Sequence, residues 1–217
     1  MASGSSGDRR EGQFGRGGAS PVSGASRVVR ASAAWRADRP GALVLAIDGH
    51  GGAGKSTIAA AVAEATGAAL VHTDDFFRSP PDRLPPAGAA GQALGCYYDW
   101  PRLRAEALEP LRARRAAAFR RFDWAHGSGL GGLVTVAPSD LILVEGVFSA
   151  APALCDLVDR SVLVETPEPE RLRRLRRRVA PEEWDEDWLI AERAYFNLSR
   201  PAWSFDLVVP GTCPAGS

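Results

Sequence analysis

The sequence predicts an α/β protein in which a parallel sheet carries helices on both faces. From Ala42 onward short apolar runs alternate with longer segments of helical period. Those runs are apolar at nearly every position, the pattern of strands buried on both sides. A glycine-rich turn joins the first run to the first helical segment, as in a strand–loop–helix unit.

Taken in order, the expected strands are LVLAI (43–47), ALVHT (69–73), LILVEG (141–146), SVLVE (161–165) and DLVV (206–209). Expected helices cover 55–66, 101–118, 167–179 and 182–198, with Pro101 in a first turn and Thr166-Pro167 as N-cap and N1. Between Arg78 and Gly95 the chain is rich in Pro and Gly without periodicity, which reads as a long functional or mobile loop. Residues 1–38, rich in Gly, Ser, Ala and Arg, have little apolar register and are expected to be a disordered tail preceding a domain at 39–217.

The chain has 217 residues, 45% of them hydrophobic, enough for one sizeable core and too few for two large domains. A formal net charge of zero argues against a dedicated nucleic-acid binder. Cys96, Cys155 and Cys213 are odd in number and far apart, which fits neither a disulfide framework nor a CxxC metal site, so a cytoplasmic setting is expected. No apolar run approaches the roughly 18 residues of a spanning helix, and the first residues lack the apolar core of a signal peptide. A membrane role is therefore not expected, and homo-oligomerisation is left open.

Lys55 is the only lysine among 26 Lys and Arg residues, and it sits in Gly49-His50-Gly51-Gly52-Ala53-Gly54-Lys55-Ser56. That stretch matches GxxxxGK[ST] in the strand-to-helix context that the motif requires. The glycines let backbone N–H groups turn inward as a nest for phosphate oxygens at a helix N-terminus. A slender ammonium stem at Lys55 reaches phosphates where the broad fork of arginine would fit differently. Ser56 offers a hydroxyl to Mg²⁺, so the residues from Gly49 to Thr57 predict a site for a nucleoside triphosphate and its metal.

Carboxylates follow at strand ends, where ligands of such sheets bind. Asp74 and Asp75 come after the second strand; one can take a proton from an acceptor hydroxyl, and the competing reading is a strand-end cap. Glu145 closes LILVE as a Walker B-like acid toward the metal, against the plainer reading of a surface Glu. No guanine-reading NKxD stretch is present, which excludes the ordinary GTPases.

In order, IDGHGGAGKST, TDDFF, YYDWPRL, RRFDW, VEGVF and an Arg-rich helix resemble the uridine kinase group of P-loop nucleoside kinases, with phosphoribulokinase and the P-loop pantothenate kinases as more distant relatives. The resemblance spans about Leu43 to Thr212. It implies a three-layer P-loop sandwich with a small substrate-binding insertion and an Arg-rich lid. By resemblance, Asp74 is the general base toward a 5′-hydroxyl and lies near the metal, Asp99 grips ribose hydroxyls, and Phe122 and His126 face a pyrimidine base. The competing reading of His126 is an exposed loop histidine. Arg174 and Arg178 match lid arginines that close over the phosphates and the adenine. On the acceptor side the chain departs from the group, with Asp75 and Phe77 where a serine and a tyrosine are typical.

These readings converge on an ATP- and Mg²⁺-dependent kinase of a small hydroxyl compound, with uridine or cytidine leading. Pantothenate, a sugar or a secondary metabolite is the alternative acceptor. A nucleotide-binding regulator that signals through its basic tail is the rival outside enzymes, and deletion of residues 1–38 is the experiment that separates it.

Overall fold

A computed structural model of the chain describes residues 23–37, 39–78, 97–127, 129–177 and 186–211. Five parallel strands, β1 (Leu43–Asp48), β2 (Ala69–His72), β5 (Leu141–Glu145), β6 (Arg160–Glu165) and β7 (Leu207–Pro210), form a sheet in the order β2-β5-β1-β6-β7. Each of the five expected strands lies in this sheet, within a residue of its expected ends. Strand alternation divides the core between the two faces. Leu43, Leu45, Ile47, Leu141 and Leu143 pack on one side; Val44, Ala46, Ile142 and Val144 pack on the other.

Helices α1 (Gly24–Ala37) and α2 (Lys55–Thr66) cover the first face. The second is covered by a helical segment of three parts, α3 (Trp100–Arg102), a π-helical stretch Leu103–Leu108 and α4 (Glu109–Arg112), and by α6 (Glu186–Ala194) with its π-helical continuation Tyr195–Ser199. Helix α5 (Glu168–Leu175) follows β6 and lies over the glycine-rich loop: a Cβ at Gly52 would meet the carbonyl of Arg171 at 2.5 Å. Between α4 and β5 an antiparallel hairpin, β3 (Ala117–Phe122) with β4 (Leu130–Val136), stands apart from the main sheet. Among the described residues no helix is long and apolar enough to cross a membrane.

Two expectations are corrected. Residues 24–37, assigned to a disordered tail, are helical and part of the core. Val28 and Ser32, one turn apart, are fully buried, with Ala25, Val29 and Trp35 packed around them. Ala and Ser in the same stretch masked this face, because a small residue marks burial without raising apolarity. Deleting residues 1–38 would thus remove a core helix along with any tail. The second correction concerns 101–118, which leaves the helix after Arg112. Arg114 takes a left-handed φ of 57°, and from Ala117 the chain alternates, with Ala117, Phe119 and Phe122 buried and Ala118 and Arg120 exposed. Three consecutive alanines favour a helix locally, and burial of Phe119 against Phe76 at 4.8 Å between ring centroids overrides them. The expected loop from Arg78 to Gly95 lies, after Arg78, outside the described residues.

Burial of α1 has a measurable consequence. Val28→Ala opens a cavity between α1 and α2 and should lower the unfolding free energy by about 1–3 kcal/mol in urea titrations. An unchanged midpoint would return residues 24–37 to the status of an appendage.

Candidate active site

Strand β1 ends in Asp48, and the chain turns at once into the loop. Asp48 is fully buried; its carboxylate accepts from the amides of Gly49 (2.7 Å), Phe148 and Ala150 (both 3.0 Å) and from the Tyr195 hydroxyl (2.7 Å). Burial pushes its pKa up, and the bonds from Tyr195, Ala150 and Gly49, with the Lys55 charge, oppose the rise. Gly49 adopts a φ of 146° beside β6, where a Cβ would lie 2.4 Å from the carbonyl oxygen of Val164. Side-chain-free glycine is the residue that fits this crossing.

The loop runs from Gly49 to Gly54 and opens into α2 at Lys55, as its sequence requires. Lys55 is 7% exposed, and its ammonium donates to the His50 carbonyl at 3.0 Å, so the charge is held within the loop. In the next position Ser56 donates its hydroxyl to Glu145 Oε1 at 2.9 Å; Thr57 follows on the exposed side of α2. Glu145 Oε2 lies 2.8 Å from His72 Nδ1, because β2 and β5 pair with His72 directly opposite Glu145. Burial by itself would raise the Glu145 carboxyl, but the His72 bond, the Lys55 charge and the Ser56 bond together hold it below its ordinary value. The same pair, through its hydrogen bond, raises the pKa of His72.

Past β2 the chain makes a single 3₁₀ turn, Thr73–Phe76, that presents two carboxylates. Asp74 reaches the surface and accepts from the Tyr98 hydroxyl at 2.9 Å. Desolvation by the surrounding protein raises its pKa; the Tyr98 bond lowers it and the Glu145 charge raises it further. Asp75 is also raised by desolvation, opposed by Arg121 at 3.8 Å. Phe77 lies in an aromatic group with Phe122 (5.4 Å) and Trp124 (4.9 Å), so two of the expected acceptor-side residues are in contact. Asp99 caps α3 through the Arg102 amide at 3.2 Å and faces Arg78 at 3.4 Å. His126 stands apart, its side chain 79% exposed and its Nδ1 2.7 Å from Asp123.

Helix α5 carries arginines with separate fates. Arg173 pairs with Glu170 at 2.8 Å and faces solvent. Arg174 also bonds Glu170, at 2.9 Å, and its Nη1 approaches the carbonyls of Gly52 and Gly211 at 3.3 and 3.4 Å. Glu168 and Glu170 thus relieve the like-charge repulsion implied by the sequence. Arg178 lies outside the described residues.

Sequence reasoning missed Asp48, His72, Arg171 and Glu192. Glu192 of α6 is 1% exposed, with Oε1 2.5 Å from His50 Nδ1 and 3.1 Å from the Gly51 amide; Oε2 accepts from Trp188 Nε1 at 3.0 Å. Arg171, 6% exposed, has its guanidinium 3.8 Å from the same carboxylate. One buried acid therefore holds loop, α5 and α6 together. Burial would raise its pKa, but His50, Lys55 and Arg171 hold it below the ordinary 4.5. An acid at the end of an apolar strand was a legible signal for Asp48; for Glu192, 142 residues from His50, no local signal exists.

Solved structures share this fold. The chain is similar to a Bacillus stearothermophilus protein described as a possible uridine kinase, at 21% identity and a TM-score of 0.64, over 86% of this chain and 97% of that one. It is similar to a Silicibacter sp. TM1040 protein assigned as a fructose transport system kinase, at 23% identity and 0.58, over 87% and 100%. The YGR205w protein aligns at 15% identity and 0.53, over 82% and 87%. No protein-family model and no curated protein matches the chain. The fold, a five-stranded parallel sheet flanked by helices with a small antiparallel hairpin, is shared with these structures.

Removing the charge of Glu192 leaves the Arg171 guanidinium without its buried partner. Glu192→Gln should cost about 3 kcal/mol at neutral pH. Because the folded pKa is depressed, the stabilisation is complete above 4.5 and lost as pH falls through the lower folded value. Urea unfolding of wild type and variant should give curves that converge below that pH; a constant gap would remove Glu192 from this role.

Proposed function

We propose that the protein transfers the γ-phosphoryl group of ATP to a hydroxyl of a small molecule, with a pyrimidine nucleoside as the leading acceptor. One observation carries the reading. The phosphate loop with Lys55, the hydroxyl–carboxylate pair Ser56–Glu145, and a second carboxylate of raised pKa, Asp74, converge at the carboxyl ends of β1, β2 and β5.

The donor set suits Mg²⁺. Ser56, Glu145 and Asp74 supply oxygen atoms alone, and the two carboxylates repel one another, which a divalent ion between them relieves. Among the described residues no group of three or more His, Cys, Asp and Glu is arranged to hold an ion unaided. A magnesium ion held by these oxygens would be completed by phosphate oxygens and water and would supply charge neutralisation. Loop amides and Lys55 hold the phosphates, and Arg174, whose guanidinium lies against the loop, adds a cation beside them. Asp74 accepts the acceptor's hydroxyl proton as the new phosphorus–oxygen bond forms and the bond to ADP breaks. A raised pKa suits that task, since a base is most effective when its pKa is nearer the working pH. Phe77 and Phe122 offer the acceptor a ring surface, and Asp99 offers a carboxylate for paired hydroxyls.

A second acceptor class, a sugar or another alcohol, is favoured by the position of His126. Its ring faces solvent and bonds Asp123, leaving the base-reading role without an inward histidine.

Asp74→Asn should lower turnover by about 10²–10⁴-fold in an ADP-release assay while ADP affinity by calorimetry is retained. Full turnover in that variant would sink the base assignment. Thermal shifts with nucleosides, sugars and pantothenate, in the presence of a nonhydrolysable ATP analogue, should show one class raising the melting temperature. A shift confined to sugars would replace the nucleoside reading.

A further inference from the structure

Beside the phosphate loop, on the side away from Asp74, a cavity of about 620 Å³ opens at the carboxyl ends of β6 and β7. Its walls include Ala53 of the loop, Val164 and Pro167 at the end of β6, Val208 and Pro210 of β7, and Arg27 of α1. The volume lies within the range of small-molecule sites, and in parallel sheets such sites lie at the carboxyl ends of strands. Aliphatic and proline walls with a few charged tips suit a flat heterocycle with polar edges.

Arg27 is the unexpected member, because it comes from the helix that precedes the sheet. It is half-buried, yet among the described residues its side chain makes no ion pair and no hydrogen bond. Of the other arginines before β1, Arg36 pairs with Asp140 at 3.6 Å and Arg39 with Asp159 at 2.5 Å, whereas Arg30 is exposed and makes no ion pair among the described residues. The position of Arg27 is also fixed. One turn earlier Gly24 crosses the end of β7 so closely that a Cβ would lie 2.5 Å from the Pro210 carbonyl oxygen, and one residue later Val28 is fully buried. An arginine at a cavity rim with no partner among the described residues can offer its planar, weakly hydrated guanidinium to stack on a ring or to donate to its edge. Glu165, in the same cavity, supplies an acceptor to complement it.

We propose that Arg27 forms one wall of a subsite for the base of the donor nucleotide, so that helix α1 is part of the nucleotide-binding site. The inference rests on the reading of the loop as a nucleoside triphosphate site. It assigns to the segment before β1 a binding role distinct from its packing role. The phosphates engage the loop, and the base is gripped from outside the strand–loop–helix unit.

The test compares binding of ADP and of inorganic tripolyphosphate, each with Mg²⁺, to the full chain by calorimetry. Wild type should bind both. Arg27→Ala should weaken ADP about tenfold, the order of a desolvated cation–π contact, and leave tripolyphosphate within about twofold. Arg27→Lys, which keeps the charge and loses the planar fork, should also weaken ADP while sparing tripolyphosphate. Unchanged ADP affinity in both variants would overturn the inference and leave the donor site standing. Equal losses for the two ligands would also overturn it, since Arg27 would then act on the phosphates. If wild type binds neither ligand, the donor reading itself fails and the inference falls with it.

Discussion

The buried carboxylate of Asp48 is the interaction on which the rest of this structure depends. It sits at the last residue of the central strand and gathers donors from the start of the phosphate loop, from the turn that follows β5 and from the π-helical end of α6. These segments come from three separate parts of the chain. Four hydrogen bonds to one acid offset the cost of burying it and fix the three segments relative to one another. The loop can hold Lys55 and present Ser56 to Glu145 because its first amide is already anchored.

From that anchor the site is assembled by topology. Parallel register sets His72 opposite Glu145 and Ile47 beside it, so the acids and the loop emerge at one edge of the sheet. Gly146 then turns the chain away with a φ of 147°, in a space where a Cβ would lie 1.7 Å from the Thr73 hydroxyl. Close approach of these two strand exits is what brings Asp74 near Glu145. On the opposite side Glu192 ties the loop to α5 and α6, so the two helices and the phosphate nest share one carboxylate. The loop is therefore braced from below by Asp48 and from the side by Glu192.

What could be read in the sequence follows from the range of the interactions involved. Five strands were legible because burial on both faces writes a continuous apolar run into contiguous residues. The loop was legible because a tight backbone path demands glycines at fixed spacing. Helix α1 was not, since its buried face is built from Val28, Ser32 and small neighbours whose partners lie on α2 and β7. The hairpin was hidden by alanines whose local preference is helical, and Phe119 meets Phe76 from 43 residues away in the chain. Asp74, Ser56 and Glu145 were singled out because motif and strand end coincide. Glu192 and Arg171 were not, because each acts across the fold and looks locally like any helix charge.

The lone lysine has a practical consequence for how this protein can be watched. Arginine fills the other positions that call for a long cationic side chain, so the chain carries a single ε-amine, and that amine is enclosed in the phosphate loop with 7% of the residue exposed. Reagents that acylate amines therefore have one side-chain target, and its rate of modification reports the openness of the loop without any engineered label. A composition bias toward arginine has left the chain with one side-chain amine, a built-in chemical reporter at the centre of its proposed chemistry.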